Sequence, residues 1–531
     1  MKKGILWLRI FFIVVCFVVM FTNCRRRSGT AAGSSAEGGT VANMNLSGYP
    51  IAIEPVTLRV AVTKRPQHNR SVREFEYLVD LEKKTNVKID WVEYEAGQAD
   101  EKRKLAFATN QLPDVFLDPV YQANTYGSEG QLIPLNSLIR NYAPDMWGAL
   151  QTYPDAIRVM TNPTDGNWYA MTLIRDPMYG ILSDPDLFIN RKWLDNLGLK
   201  VPETITEFFE ALKAFRDNDI IPFAFCFQEG GPNYSFVGMY IMFHPFGVAE
   251  NPQHMQVVNG RLRYTFTMPQ FRDGVRFLAN MYREGLIDPE SFSYNRQQYF
   301  AACQAREVGA GIGYYAANTF GAKASDYVTL YLKGPNGEDP VIFRNSGSSG
   351  PGSGPSITTA CKTPEIAIRW INEFYKPELA AQNIHGVLGR WLIPSTDPQY
   401  MYEFSEVPAG ISQDEYRLNY SNALGLEFYT PKNLHPVSAT AALKKASDDA
   451  KMPYYVKEYL PSWVFTRDEM DEIQPIKNDL DGFTISTLAN WIVKGTVDAE
   501  WEQVQRQLNR MKLPRYMEIH QKVYDRMTAA Q

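Results

Sequence analysis

Between Val56 and Trp91 the spacing of the apolar residues changes twice, and that change restricts the fold more than any other feature of the chain. Val56, Leu58, Val60 and Val62 alternate, as in a half-buried strand. Ser71 and Glu74 then form a capping box, and Phe75, Leu78 and Val79 share one helical face that runs to Asn86. Val87, Ile89 and Trp91 alternate again. Two strands joined through a helix are expected to lie parallel, with the helix as crossover. The same grammar returns downstream. A helix is predicted over Glu101–Asn110 and a short strand over Asp114–Leu117. A second capping box, Thr204 with Glu207, opens a helix whose apolar face holds Ile205, Phe208, Phe209, Leu212 and Phe215. Ile220–Phe227 reads as a buried strand. Phe271, Val275, Leu278 and Tyr282 line another helix, with Gly285 at its end. Thr363-Pro364 opens a further helix whose Trp370 falls on the core face, and Glu500–Met527 reads as mostly helical. Strands alternating with helices indicate an α/β fold.

Length sets the scale. A chain of 531 residues, 45% hydrophobic and 21% charged, can bury more than one core, so two or more domains or one two-lobed unit are expected. A net charge of −5 argues against nucleic acid as a partner, because phosphate recognition needs a basic footprint. The 30 Tyr, 29 Phe and 10 Trp fill cores and also permit stacking on sugar rings.

The amino terminus carries an export signal. Lys2, Lys3 and Arg9 precede an unbroken apolar run from Ile10 to Phe21, which is short for a bilayer span and suited to a signal-peptide core. Cys24 follows at once. The arrangement resembles a bacterial lipoprotein cleavage site, although Phe21 and Asn23 stand where Leu and a small residue are usual. The expectation is a signal peptide over residues 1–23, lipid on Cys24, and a tether over 24–50; the other reading is an uncleaved anchor with Cys24 as a bystander. Ser28 to about Ser47 is rich in Ser, Gly, Ala and Thr, as a flexible tether requires. The folded part should begin near Val56 and face the periplasm or cell exterior. Cys226, Cys303 and Cys361 are too few for a disulfide framework and should be buried thiols.

Signatures of catalysis do not stand out. Gly309-Ala-Gly311-Ile-Gly313 has the wrong spacing for a dinucleotide loop, and the six histidines show no metal-ligand spacing. A glycosidase needs two carboxylates about 5–10 Å apart, and nothing in the sequence singles out a pair. No enzymatic activity and no cofactor are expected.

Five segments, in order, resemble the extracellular solute-binding proteins of family 1, specifically its long lipoproteins. They are Gln111-Leu-Pro-Asp-Val-Phe, the stretch from Leu187 to Phe208, Tyr282-Arg-Glu-Gly-Leu-Ile-Asp-Pro-Glu-Ser-Phe, Cys361-Lys-Thr-Pro-Glu-Ile-Ala-Ile-Arg-Trp-Ile-Asn, and the tail from Ile485. The resemblance implies a two-lobed, type II periplasmic-binding-protein-like fold with a ligand cleft between lobes joined by crossing hinge segments. Lobe I would comprise 51–175 and 355–460, and lobe II 176–354 and 461–531. Crossings are expected near Met171–Asp176, near Gly354–Ser356 and around 455–465. It implies a monomeric receptor for a carbohydrate or oligosaccharide, serving the permease subunits and cytoplasmic ATPase of an ABC importer. Binding of peptides or other small solutes, and surface glycan binding or adhesion without transport, remain open. Many relatives carry a calcium loop after the helix that ends here near Phe215. Only Arg216-Asp-Asn-Asp219 remains, too short for the six or more oxygens calcium takes, so no metal is expected.

Loops that follow strands supply the ligand-binding candidates. These are Asp118, Trp168, Tyr169, Gln228, Glu229, Tyr315, Arg390 and Trp391, with Lys64, Arg65 and Tyr314 as further possibilities. Each has a structural reading too: Asp118 as a turn cap, Trp168 and Tyr169 as hinge packing, Lys64 and Arg65 as solvated loop, Arg390 and Trp391 as a surface pair.

Overall fold

The computed structural model describes residues 41–64, 70–175, 185–227, 238–344, 350–398, 400–405, 429–430 and 446–529. The proposed signal peptide and Cys24 lie outside them. A compact unit begins at Asn43, earlier than Val56. The tether expected over 24–50 therefore gives way before its end. Met44 and Ile51 are buried, and Asn45 donates its amide to the Ile51 carbonyl (3.0 Å). Arg369 closes the clasp by donating to the carbonyls of Asn45 and Gly48, and Tyr49 donates its hydroxyl to Glu373. A segment that reads as polar linker is held because its backbone groups find partners on the folded body.

The first sheet starts with β1 (Val56–Lys64), α1 (Glu76–Thr85) and β2 (Val87–Glu95). β1 and β2 are parallel, in register from Val56 opposite Val87 to Lys64 opposite Glu95. α1 stops at Asn86, whose φ of 57° is tolerated by Asn better than by most residues. α2 (Ala99–Thr109) leads to β3 (Val115–Phe116), which lies parallel to β1. α3 (Ala123–Ser128) follows.

The second sheet takes β4 (Asp186–Asn190), then α4 (Ile205–Arg216) and β5 (Ile221–Ala224). The Thr204–Glu207 capping box forms as its sequence indicates. α5 (Pro269–Arg283), α6 (Arg296–Ala305), β6 (Val308–Gly313) and β7 (Tyr327–Leu330) complete it, in the order β7-β4-β6-β5. β4 is antiparallel to both neighbours, while β5 and β6 are parallel.

The chain then returns to the first sheet as β8 (Ser356–Ile357), antiparallel to β3, which gives the order β8-β3-β1-β2. α7 (Pro364–Asn372) and α8 (Pro377–His385) cover this lobe. Trp370 is 1% exposed and meets Trp91 edge-on at 6.2 Å, as a core residue should. Finally α9 (Arg467–Lys494), α10 (Val497–Arg510) and α11 (Leu513–Thr528) join the second lobe. Their Trp491 and Trp501 share a core with Phe208, Phe223 and Phe271. Cys226, Cys303 and Cys361 are buried thiols, and burial pushes Cys303 up to about 12 and Cys361 up to about 11.

Candidate functional site

Loops leaving the carboxyl edge of an α/β sheet are where such folds place ligands. On the first sheet that edge carries Lys64, Glu95 and the turn from Leu117 to Tyr121. On the second, β4 runs the other way, so its first residue, Asp186, shares the edge with Gly313 and with the residues after β5 and β7. Two segments, one following Tyr169 and one preceding β8, lie side by side. The Met171 amide donates to the Pro355 carbonyl (2.8 Å), and the Gly354 amide donates to the Met171 carbonyl (2.9 Å). Leu173 donates its amide to Ser353 Oγ (3.3 Å), and the Thr172 and Ser353 hydroxyls sit 3.2 Å apart. The segment expected as a third crossing runs along Ile342, which donates to Tyr454 (2.9 Å) and accepts from Val456 (3.0 Å). Met171–Leu173 and Ser353–Pro355, within the segments expected as the first and second crossings, thus lie hydrogen-bonded side by side.

Glycine is needed in this lacing. A Cβ on Gly354 would stand 2.9 Å from the Met171 carbonyl oxygen. At Gly352, φ is +71° and a Cβ would stand 2.2 Å from the Val120 oxygen. Only a residue without a side chain lets the second crossing lie so close to the first and to the turn after β3.

The sequence-derived candidates divide. Asp118 lies on the edge, 4% exposed, with Arg103 Nη1 at 3.7 Å. Arg103 also pairs with Asp100 and donates to Thr63 Oγ1 (3.3 Å), so a polar cluster closes the ends of β1 and β3. Tyr315 is half-buried just beyond β6, with Tyr314 edge-on to it at 4.5 Å. Lys64 is half-buried, 4.0 Å from Glu95. Gln228, Glu229 and Arg65 lie outside the described residues.

The tryptophans are placed differently from the expectation that each offers a face to ligand. Trp168 is 2% exposed; its Nε1 donates to Thr161 Oγ1 (3.0 Å) and Arg140 covers its ring at 5.3 Å. Tyr169 donates its hydroxyl to Asp165 (2.8 Å), and its ring lies over Gly127 of α3, where a Cβ would collide at 2.1 Å. Trp391 is 1% exposed in a satellite core with Ile384, Leu392 and Tyr402, tilted against Phe404. Arg390, beside it, pairs with Glu76 on α1 at 2.7 Å. These aromatics are enclosed by protein in this conformation, which is the packing reading of the same residue types.

Two features were not singled out from sequence. Tyr121 follows β3 and is 70% exposed, the most exposed large apolar side chain on the described surface. Its backbone lies beside the second crossing, with its Cα 3.1 Å from where a Cβ on Gly352 would stand. The second is a buried ion cluster. Lys451 Nζ contacts Asp186, lies 3.9 Å from Asp448 Oδ1, and Ser447 donates to Asp186 (2.8 Å). Asp186, Lys451 and His244 line a pocket of about 40 Å³, room for a water or two and too small for a sugar. Burial drives His244 down to about 3, so it is neutral there. Among the described residues no group of three or more His, Cys, Asp or Glu side chains is arranged to hold a metal.

Residues 66–381 match the family described as bacterial extracellular solute-binding protein. The chain is 29% identical over 506 residues to the fructooligosaccharide ABC transporter substrate-binding protein FusA of Streptococcus pneumoniae, spanning 90% of this chain and 91% of that one. It is 22% identical over 349 residues to the polygalacturonan/rhamnogalacturonan-binding protein YtcQ of Bacillus subtilis, spanning 61% and 63%. Its fold superposes on S. pneumoniae FusA in complex with kestose with a TM-score of 0.76 and 26% identity, covering 90% of this chain and all of that one.

Proposed function

The chain belongs to the bacterial extracellular solute-binding protein family, and on that premise we propose how it works. It is a carbohydrate receptor for an ABC importer, and it binds its ligand without transforming it. The observation that carries the reading is the hydrogen-bonded pair of segments Met171–Leu173 and Ser353–Pro355; as crossings between lobes they would turn two carboxyl edges toward one cleft. An oligosaccharide would lie between those edges. Tyr121 and Tyr315 would stack on the C–H faces of its rings, above the enclosed Asp118–Arg103 cluster. Lobe I would hold 51–175, now extended back to Asn43, and the chain from 355, and lobe II 176–354 and 461–531; Ser447, Lys451 and Leu460 pack on the second lobe, so the last crossing would fall before them and not at 455–465. Hinge closure would bring the edges together and present a closed monomer to the permease. Lipid on Cys24 would hold the receptor at the membrane.

A thermal-shift screen of mono- and oligosaccharides against peptides tests the reading. A ligand at one hundred times its dissociation constant should add about 2.7 kcal/mol of stability. The glycan should be recovered intact after incubation. Stabilisation by peptides alone, or cleavage of the glycan, would overturn the proposal.

A further inference from the structure

We infer that the cleft selects uncharged oligosaccharides and turns polyuronates away. The inference rests on the carbohydrate-receptor reading and specifies the ligand's charge.

Recognition of a uronate chain requires cations with donors to spare, because each carboxylate is best held by an arginine fork or a lysine. The first sheet's carboxyl edge is arranged otherwise. Lys64 has Glu95 at 4.0 Å. Arg103 pairs with Asp100 and has Asp118 at 3.7 Å. Arg390 has Glu76 at 2.7 Å. Among the described residues of this rim, then, these cations already have carboxylates.

Exposure adds to the effect. Lys64 is 28% exposed and Arg103 13%, whereas their partners Glu95 and Asp100 are 67% and 72% exposed. At these two pairs solvent, and any ligand arriving from it, meets the carboxylate before the cation; at Arg390 and Glu76 the order is reversed, 58% against 43%. A polyanion would have to displace those carboxylates or lie against them. At physiological salt the repulsion reaches about 8 Å, comparable with the size of a sugar ring. A neutral glycan meets no such field, and paired carboxylates remain good acceptors for its hydroxyls.

Calorimetric titration of the full-length chain with kestose, maltotriose, mannotriose and trigalacturonate tests this directly. At least one neutral trisaccharide should bind, and trigalacturonate at the same concentration should give no heat beyond dilution. Trigalacturonate binding as tight as the best neutral ligand would overturn the inference and leave the receptor reading standing. Failure of neutral and acidic glycans alike would overturn both. The double variant Glu95→Gln, Asp100→Asn removes the exposed carboxylates. At about 10 mM salt its association constant for trigalacturonate should rise about fivefold or more. A variant that ignores trigalacturonate as its parent does would mean that these charges are not the filter, and the inference would fall.

Discussion

Gly354 donates its amide to the carbonyl of Met171 at 2.9 Å, and Met171 returns a hydrogen bond to the next residue, Pro355, at 2.8 Å. Residues far apart in sequence are thereby laced together. The glycine is a steric requirement, since a Cβ there would lie 2.9 Å from the Met171 oxygen. Gly354→Ala must push the two crossings apart. The cost should be about 1–3 kcal/mol, the range for forcing atoms into a packed site. Urea unfolding of the variant should show a lower midpoint with an unchanged slope; an unshifted midpoint would mean that the lacing is slack.

Aromatic residues separate into two classes by enclosure. Trp391→Ala removes a ring that is 1% exposed and packed on Phe404, and should cost about 3–5 kcal/mol, like the core replacement Trp370→Ala. Tyr121→Ala removes a ring that is 70% exposed and should leave the melting temperature close to that of the parent. If Tyr121 stacks on a sugar, its loss should weaken binding about 5- to 30-fold, equivalent to roughly 1–2 kcal/mol of buried apolar area. Melting curves and ligand titrations on the three variants decide between the classes. Normal affinity in Tyr121→Ala would remove that residue from the site.

Acid sensitivity follows from buried imidazoles. Burial holds His520 down to about 4, and its Nδ1 lies 2.8 Å from the Tyr516 carbonyl oxygen beneath Trp463 and Phe465. Unfolded, the ring titrates near 6.5. Between those values the unfolded chain takes up a proton that the folded chain refuses. Its contribution is therefore complete above about pH 6.5 and is lost as pH falls toward about 4. His520→Gln should flatten the stability–pH curve in this window by up to about 1.4 kcal/mol per pH unit. Parallel curves for variant and parent would show that His520 titrates normally.

Membrane attachment is expected to depend on Cys24, which follows the Ile10–Phe21 run. Cys24→Ser should release the protein from membranes or leave it unprocessed. Fatty-acid labelling that persists in the Ser variant would assign the anchor elsewhere.

Much of the fold was legible because periodicity and capping act locally. The β1–α1–β2 unit and the Thr204 box need only their own residues to be read. The helix Arg467–Lys494 was not legible as a helix, since Pro475 stands inside it and its buried residues are spread thinly along 28 positions; only its end, from Ile485, carries the family resemblance. The clasp of residues 43–54 escaped because its backbone carbonyls accept hydrogen bonds from Arg369, a partner more than 300 residues away. The site was the least legible part. A tryptophan that packs a core and one that stacks on a sugar have the same signature in sequence. Trp168 and Tyr121 differ only in what surrounds them, and tertiary structure alone decides that.

Hydrogen–deuterium exchange on the full-length chain, with and without a saturating oligosaccharide, tests the central claim most directly. A ligand held between the two carboxyl edges should slow exchange in the turn at 117–122 of the first lobe and at 313–316 of the second, together with the crossings at 171–174 and 353–356. Protection confined to one lobe, or located away from both edges, would contradict the cleft as the binding site.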